Sequence, residues 1–147
     1  MDADDVHGAE GDPLRGDTRA LLRERIESYE ELEMLLALER VRGDSKTAEE
    51  LSNTVRVPVP FVEQAVRKLE AHGLIERRDG TARDRRDARY TYAPASADLD
   101  AAVRALAKAY AQQPIPIIKL MSENAIQRLR SGAARAFADA FILRKDK

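Results

Sequence analysis

Between positions 77 and 89 the chain places Arg77, Arg78, Arg83, Arg85, Arg86 and Arg89 among Asp79, Asp84 and Asp87. A guanidinium is a permanently charged planar fork that matches two phosphate oxygens at once, so a loop this rich in arginine is suited to a nucleic acid backbone. One arginine at its tip can also enter a narrow minor groove, where the potential is most negative. The interleaved aspartates can pin individual arginines and so reduce the order lost on binding. A second group lies just upstream. Within a helix-patterned segment over 60–72, Val62, Ala65, Val66 and Leu69 recur at helical spacing and mark a buried face. Stepping about 100° per residue from Leu69 leaves Pro60, Gln64, Arg67 and Ala71 pointing outward, with Glu63 and Lys68 on the flanks. Gln pairs bidentately with adenine and Arg with guanine, which makes Gln64 and Arg67 candidate base readers and Lys68 a phosphate contact. The competing reading of both groups is a solvated charged surface, which is what a charge run usually is.

The elements around these residues decide between the readings. Ser28-Tyr29-Glu30-Glu31 and Thr47-Ala48-Glu49-Glu50 both have the capping-box form, in which a hydroxyl and a carboxylate three residues on satisfy free amides at a helix start. The first opens a helix carrying Leu32, Leu35 and Leu36 that closes near Gly43, and the second a short helix to about Asn53. A compact turn over 54–57 leads to Pro60, a residue suited to a first helical turn, and Gly73 after His72 is a natural left-handed cap. Strand-prone runs at 74–78 and 88–92 flank the arginine loop as a two-stranded hairpin. Helix, short helix, turn, helix, hairpin is the succession of a winged helix-turn-helix.

Gly73-Leu74-Ile75-Glu76-Arg77-Arg78, then Asp84-Arg85-Arg86, then Arg89-Tyr90-Thr91-Tyr92 resembles the wing of MarR-type winged-helix regulators. The resemblance covers about residues 30–93. It implies that the helix over 60–72 enters a major groove and that a wing arginine reaches the adjacent minor groove. By position Asp84 is then the brace and Arg86 the minor-groove reader, with Arg85 beside it. The chain departs from the pattern after Tyr92, where Ala93-Pro94-Ala95 stands in place of Leu-Thr and a glycine. The family's terminal helices build a dimer.

In this chain two further apolar stripes are available for that purpose. Ser96 caps a helix to about Gln112 with Leu99, Val103, Leu106 and Tyr110 on one side. Pro114 and Pro116 are expected to break or kink the chain. A last helix restarts at Ser122-Glu123-Asn124, with Ile126, Leu129, Ala133, Phe137 and Phe141 in a stripe and Gly132 a weak point. Both stripes folding back on one protomer, or the arginine-rich last segment lying on an acidic membrane surface, are the alternatives to a homodimer.

Bulk properties set limits on this reading. The 147 residues have a formal net charge of −1, unusual for a nucleic acid binder. Residues 1–17 account for it: Asp2, Asp4, Asp5, Glu10, Asp12 and Asp17 face Arg15 alone, so the rest of the chain carries +4. There is no cysteine, which removes disulfides, thiolate metal sites and cysteine nucleophiles together. His7 and His72 form no constellation with a nucleophile, and no HExxH, Walker or GxGxxG motif is present. An enzyme is therefore not expected, nor a cofactor or metal, and no apolar run approaches the roughly 20 residues of a membrane span. The sequence predicts a mainly α protein with a small β-hairpin: a disordered acidic tail over 1–17, a winged helix-turn-helix over 18–95, and C-terminal helices for dimerisation over 96–147. The expected partners are double-stranded DNA and a second copy, in the cytoplasm, with any small-molecule effector unassigned. A winged-helix adaptor that binds protein without touching DNA is the competing function.

Overall fold

The structure, a computed structural model, describes residues 16–78 and 88–145. Its elements run α1 (Gly16–Glu24), α2 (Tyr29–Arg40), β1 (Ser45–Thr47), α3 (Ala48–Val55), α4 (Val59–Ala71), β2 (Ile75–Arg78), β3 (Arg89–Tyr92), α5 (Ala97–Gln112) and α6 (Pro114–Lys145). The mainly helical winged architecture expected from the sequence is present. Helix α2 is the pillar. Leu32, Met34, Leu35, Leu36 and Leu38 leave it buried on nearly all sides, because α3, α4 and β3 pack around it. Its start is a variant of the expected box. Ser28 Oγ accepts from the Glu31 N–H at 3.2 Å and donates to Glu31 Oε2 at 2.9 Å, while the other carboxylate oxygen takes the Glu27 N–H at 3.3 Å. Glu31 is thereby buried with its acceptors satisfied.

The box at α3 is complete: Thr47 Oγ1 accepts from the Glu50 N–H and Glu50 Oε1 from the Thr47 N–H, both at 3.1 Å. Helix α3 ends on Arg56, which takes the left-handed conformation at φ 59° and leads into α4 through Pro58. At the far end of α4 the Gly73 N–H bonds Glu70 O and the Leu74 N–H bonds Leu69 O, both at 3.0 Å. That paired pattern needs a left-handed residue at the turn, and Gly73 supplies it at φ +74°. A Cβ there would also lie 3.3 Å from the Ala95 Cβ.

Two expectations are corrected and a third is extended. The expected hairpin of β2 and β3 is present and gains β1, giving a three-stranded sheet in the order β1-β3-β2. Both neighbours pair antiparallel with β3, with Lys46 opposite Tyr90 on one side and Arg77 opposite Tyr90 on the other. The helix break expected at the prolines is present, since α5 ends at Gln112, but Pro114 and Pro116 themselves begin a continuous 32-residue helix, where a restart only at Ser122 was expected. Both sit in the first turn, where a backbone N–H has no intrahelical acceptor to lose. Gly16 and Asp17, expected in the tail, open α1, which buries Leu21 and Leu22 and packs against α5 and α6. The N-terminal helix therefore sides with the C-terminal ones across the boundary expected at 95/96.

Candidate nucleic-acid interface

Helix α4 turns Val62, Ala65, Val66 and Leu69 into the core, and packing against α2, α3 and β2 leaves its other face open. Pro60, Gln64 and Arg67 are exposed on that face, as the helical spacing predicts. Neither C-terminal helix packs heavily against α4. Between α3, the outer side of α4 and the sheet lies an open trough of about 900 Å³, bordered by Ser52, Asn53, Pro60, Arg67, Arg77 and Tyr90. Burial pushes the Tyr90 hydroxyl above its ordinary pKa. The α3 residues of this trough, Glu49, Ser52 and Asn53, were not among the sequence candidates. The exposure of Glu49 and Asn53 on a short capped helix next to α4 was the available signal. The electrostatics are mixed, since Glu49, Glu63 and Glu70 border the trough alongside Arg67 and Arg77.

Two expected phosphate contacts are engaged within the fold. Lys68 Nζ lies 3.1 Å from Glu27 Oε2 in the α1–α2 connection, and this hydrogen bond leads the causes that lower the Glu27 pKa against its partial burial. Lys68 thus ties the end of α4 to that connection. Arg89 folds back on the sheet's first strand: Nε donates to Ser45 Oγ at 2.8 Å and Nη2 to Ser45 O at 2.9 Å, with Glu50 at 3.5 Å. It fastens the loop-side end of β3 to the start of α3. Arg77 and Arg78 are exposed on β2. Arg83, Arg85, Arg86 and the brace Asp84 lie outside the described residues.

The wing's other end is held by a cluster on α5. Tyr92 donates its hydroxyl to Asp100 Oδ1 at 2.7 Å, Arg42 Nη2 reaches the same oxygen at 2.9 Å, and Arg104 Nε meets Oδ2 at 3.2 Å. The Arg42 guanidinium also stands 4.8 Å from the centre of the Tyr92 ring. Hydrogen bonds first from Arg42 and then from Tyr92 bring the Asp100 pKa down to about 2, while burial and the Asp100 contact push Tyr92 up.

The expected dimer residues separate into two groups. Val103 and Leu106 are fully buried in the protomer's own core, which corrects their assignment to an interface. Leu99 and Tyr110 pack against that core partly buried, and the Tyr110 hydroxyl donates to Glu33 Oε1 at 3.1 Å. On α6, Ile126, Leu129 and Phe137 are 48%, 73% and 74% exposed. Ile115 and Ile118 are exposed too, and at about 100° per residue all five fall on one face of the helix. The Phe141 side chain lies outside the described residues. No helix among the described residues is long and apolar enough to cross a membrane.

A three-helix core, an uncovered second helix of the helix-turn-helix and a three-stranded wing define a winged helix-turn-helix protein. The fold is that of the MarR type. Against S. aureus MepR crystallised in its DNA-binding conformation the TM-score is 0.50 at 15% identity, over 95% of this chain and 99% of that one. A MepR mutant from a multidrug-resistant S. aureus clinical isolate gives 0.49 at 15% identity, covering 95% and 98%. The S. aureus MepR–DNA complex gives 0.46 at 16% identity, covering 92% and 94%. At such identities the likeness is one of fold. No family model and no curated protein matches the sequence.

Proposed function

We propose that this chain is a transcriptional regulator that binds double-stranded DNA as a homodimer, with α4 in the major groove and the arginine-bearing wing on the flanking groove. The observation that carries the reading is the uncovered outer face of α4, where Gln64 and Arg67 stand exposed and Arg67 shares a trough with Arg77 of the wing strand. Base reading falls to Gln64 and Arg67, and the neighbouring groove to Arg83, Arg85 and Arg86 with Asp84 as brace. Dimerisation uses the exposed face of α6, since a DNA half-site pair matches a two-fold protein. S. aureus MepR, which shares the fold, has been crystallised in a DNA-binding conformation. Repression is the expected sign of regulation and the cytoplasm the expected location.

The test is an electrophoretic shift on random-sequence duplex DNA across a salt series, followed by selection of bound duplexes. Affinity should fall steeply with salt as phosphate contacts release counterions. Arg67→Ala or Gln64→Ala should change the selected sequence at about 1–3 kcal/mol per lost bidentate pair, whereas Arg86→Ala should weaken several sequences alike. A second reading, a winged-helix adaptor for protein partners, is favoured by the three carboxylates Glu49, Glu63 and Glu70 around the trough. Absence of any salt-dependent shift would decide for the adaptor.

A further inference from the structure

The face of α6 opposite its exposed apolar stripe meets α1 in a second, open trough of about 550 Å³. Arg23 of α1 and Asn124, Gln127, Arg128, Ser131 and Arg135 of α6 border it, so three arginines line it with no carboxylate among the lining residues. Arg23 has the adjacent, exposed Glu24 at 3.3 Å, and Arg135 has no ion-pair partner among the described residues. The Asn124 Nδ2 group is buried without a hydrogen-bond partner, a state that folded proteins rarely tolerate unless something else accepts the bond. Gly132 lines the same trough in a helix interior, where glycine is disfavoured. A Cβ there would meet nothing within 4 Å, so packing within this protomer does not require the glycine.

Three arginines and an orphan amide donor thus line one trough, with open space at the glycine. We propose that this trough binds a small oxyanion bearing phosphate or carboxylate groups, and that its occupancy is felt at α4. The second half follows from the contacts of Arg128. Its Nη2 donates to Glu27 O at 2.9 Å, and the Glu27 carboxylate holds Lys68 of α4 at 3.1 Å. An anion that redirects Arg128 therefore perturbs the residue that anchors the end of α4. Guanidinium forks match the paired oxygens of phosphate and carboxylate alike, so the geometry names the shared oxyanion and not its carrier. The site itself is independent of the DNA reading; only the consequence for gene regulation rests on it. The apolar stripe lies on the far side of α6, so a second copy docked there leaves the trough open.

Calorimetric titration of the full chain with inorganic phosphate and, separately, with citrate at constant ionic strength tests this. Saturable binding of at least one is expected, phosphate alone indicating a phosphorylated carrier and citrate alone a polycarboxylate. Arg135→Glu should weaken binding by about tenfold or more, as expected for a lost charge-assisted contact. Gly132→Leu should intrude on the trough and weaken binding while favouring the helix, so loss of folding would not explain the result. Arg40→Glu, an exposed charge at the end of α2, should leave the affinity unchanged. In an amide NMR titration the Glu27 and Lys68 resonances should shift with the calorimetric midpoint. No saturation by either anion, equal affinity in both trough variants, or saturation with Glu27 and Lys68 unmoved would overturn the proposal. Loss of duplex binding with anion binding intact would sink the DNA reading and leave this site standing.

Discussion

Helices α5 and α6 follow one another with a single residue between them, and their apolar stripes meet different fates. Val103 and Leu106 of α5 are fully buried beneath neighbouring elements of the same protomer. On α6 only the first turns are covered, through Ile117, Leu120 and Met121, and every residue from Leu129 to Ala140 is exposed. A helix of 32 residues is about 48 Å long, more than the body of so small a protein can cover. Periodicity reports that a face wants covering. It carries no information about which chain does so.

The comparison can be broken at four places. The largest effect is expected from Leu106→Ala: about 2–5 kcal/mol lost in urea unfolding, with self-association of the folded protein unchanged. A change in association with little loss of stability would put α5 in the interface after all. Leu129→Asp should do the reverse. Forfeiting a buried leucine at the proposed interface weakens self-association by about 1.5–3 kcal/mol, measurable by sedimentation equilibrium, while the protomer core is untouched. Unaltered association would return the stripe to solvent. Arg128→Ala removes the bond from α6 to Glu27 O and should lower stability by about 1 kcal/mol or somewhat more. Amide exchange in the first turns of α6 should quicken with it, and unchanged exchange would mean that apolar packing alone holds the helix.

The smallest effect is expected at Asp100, the electrostatic tie of α5 to the wing. Its pKa is held at about 2 in the folded protein against an ordinary 3.8. The folded state therefore gains from the ionised carboxylate above pH 3.8 and loses that gain as pH falls toward 2. Asp100→Asn should melt below wild type near neutrality and converge on it at the acid end of that range. A constant gap across the range would assign the difference to packing instead.

What the sequence disclosed was local. The hydroxyl caps Ser28, Thr47 and Ser96, the left-handed Gly73 and the inward stripe of α4 all depend on residues a few positions apart, and all were readable. Strand β1 was not. Ser45-Lys46-Thr47 has no apolar alternation, and its pairing with β3 spans more than forty residues. The same distance hid the fates of Lys68 and Arg89, whose partners Glu27 and Ser45 are remote in sequence. Exposure of Gln64 and Arg67 was legible because it is the complement of a buried stripe on one helix. The opposite outcomes at Leu106 and Leu129 were not, because the two stripes look alike until the body is assembled.

Thr47 is at once the last residue of β1 and the cap of α3, with no spacer between strand and helix. Bending the sheet away from α3 would tear the amide pairing that begins that helix. The two behave as a bracket cut from a single piece, and whatever docks across them meets a fixed gauge instead of an adjustable clamp. Any mismatch in span must then be absorbed by the docking partner.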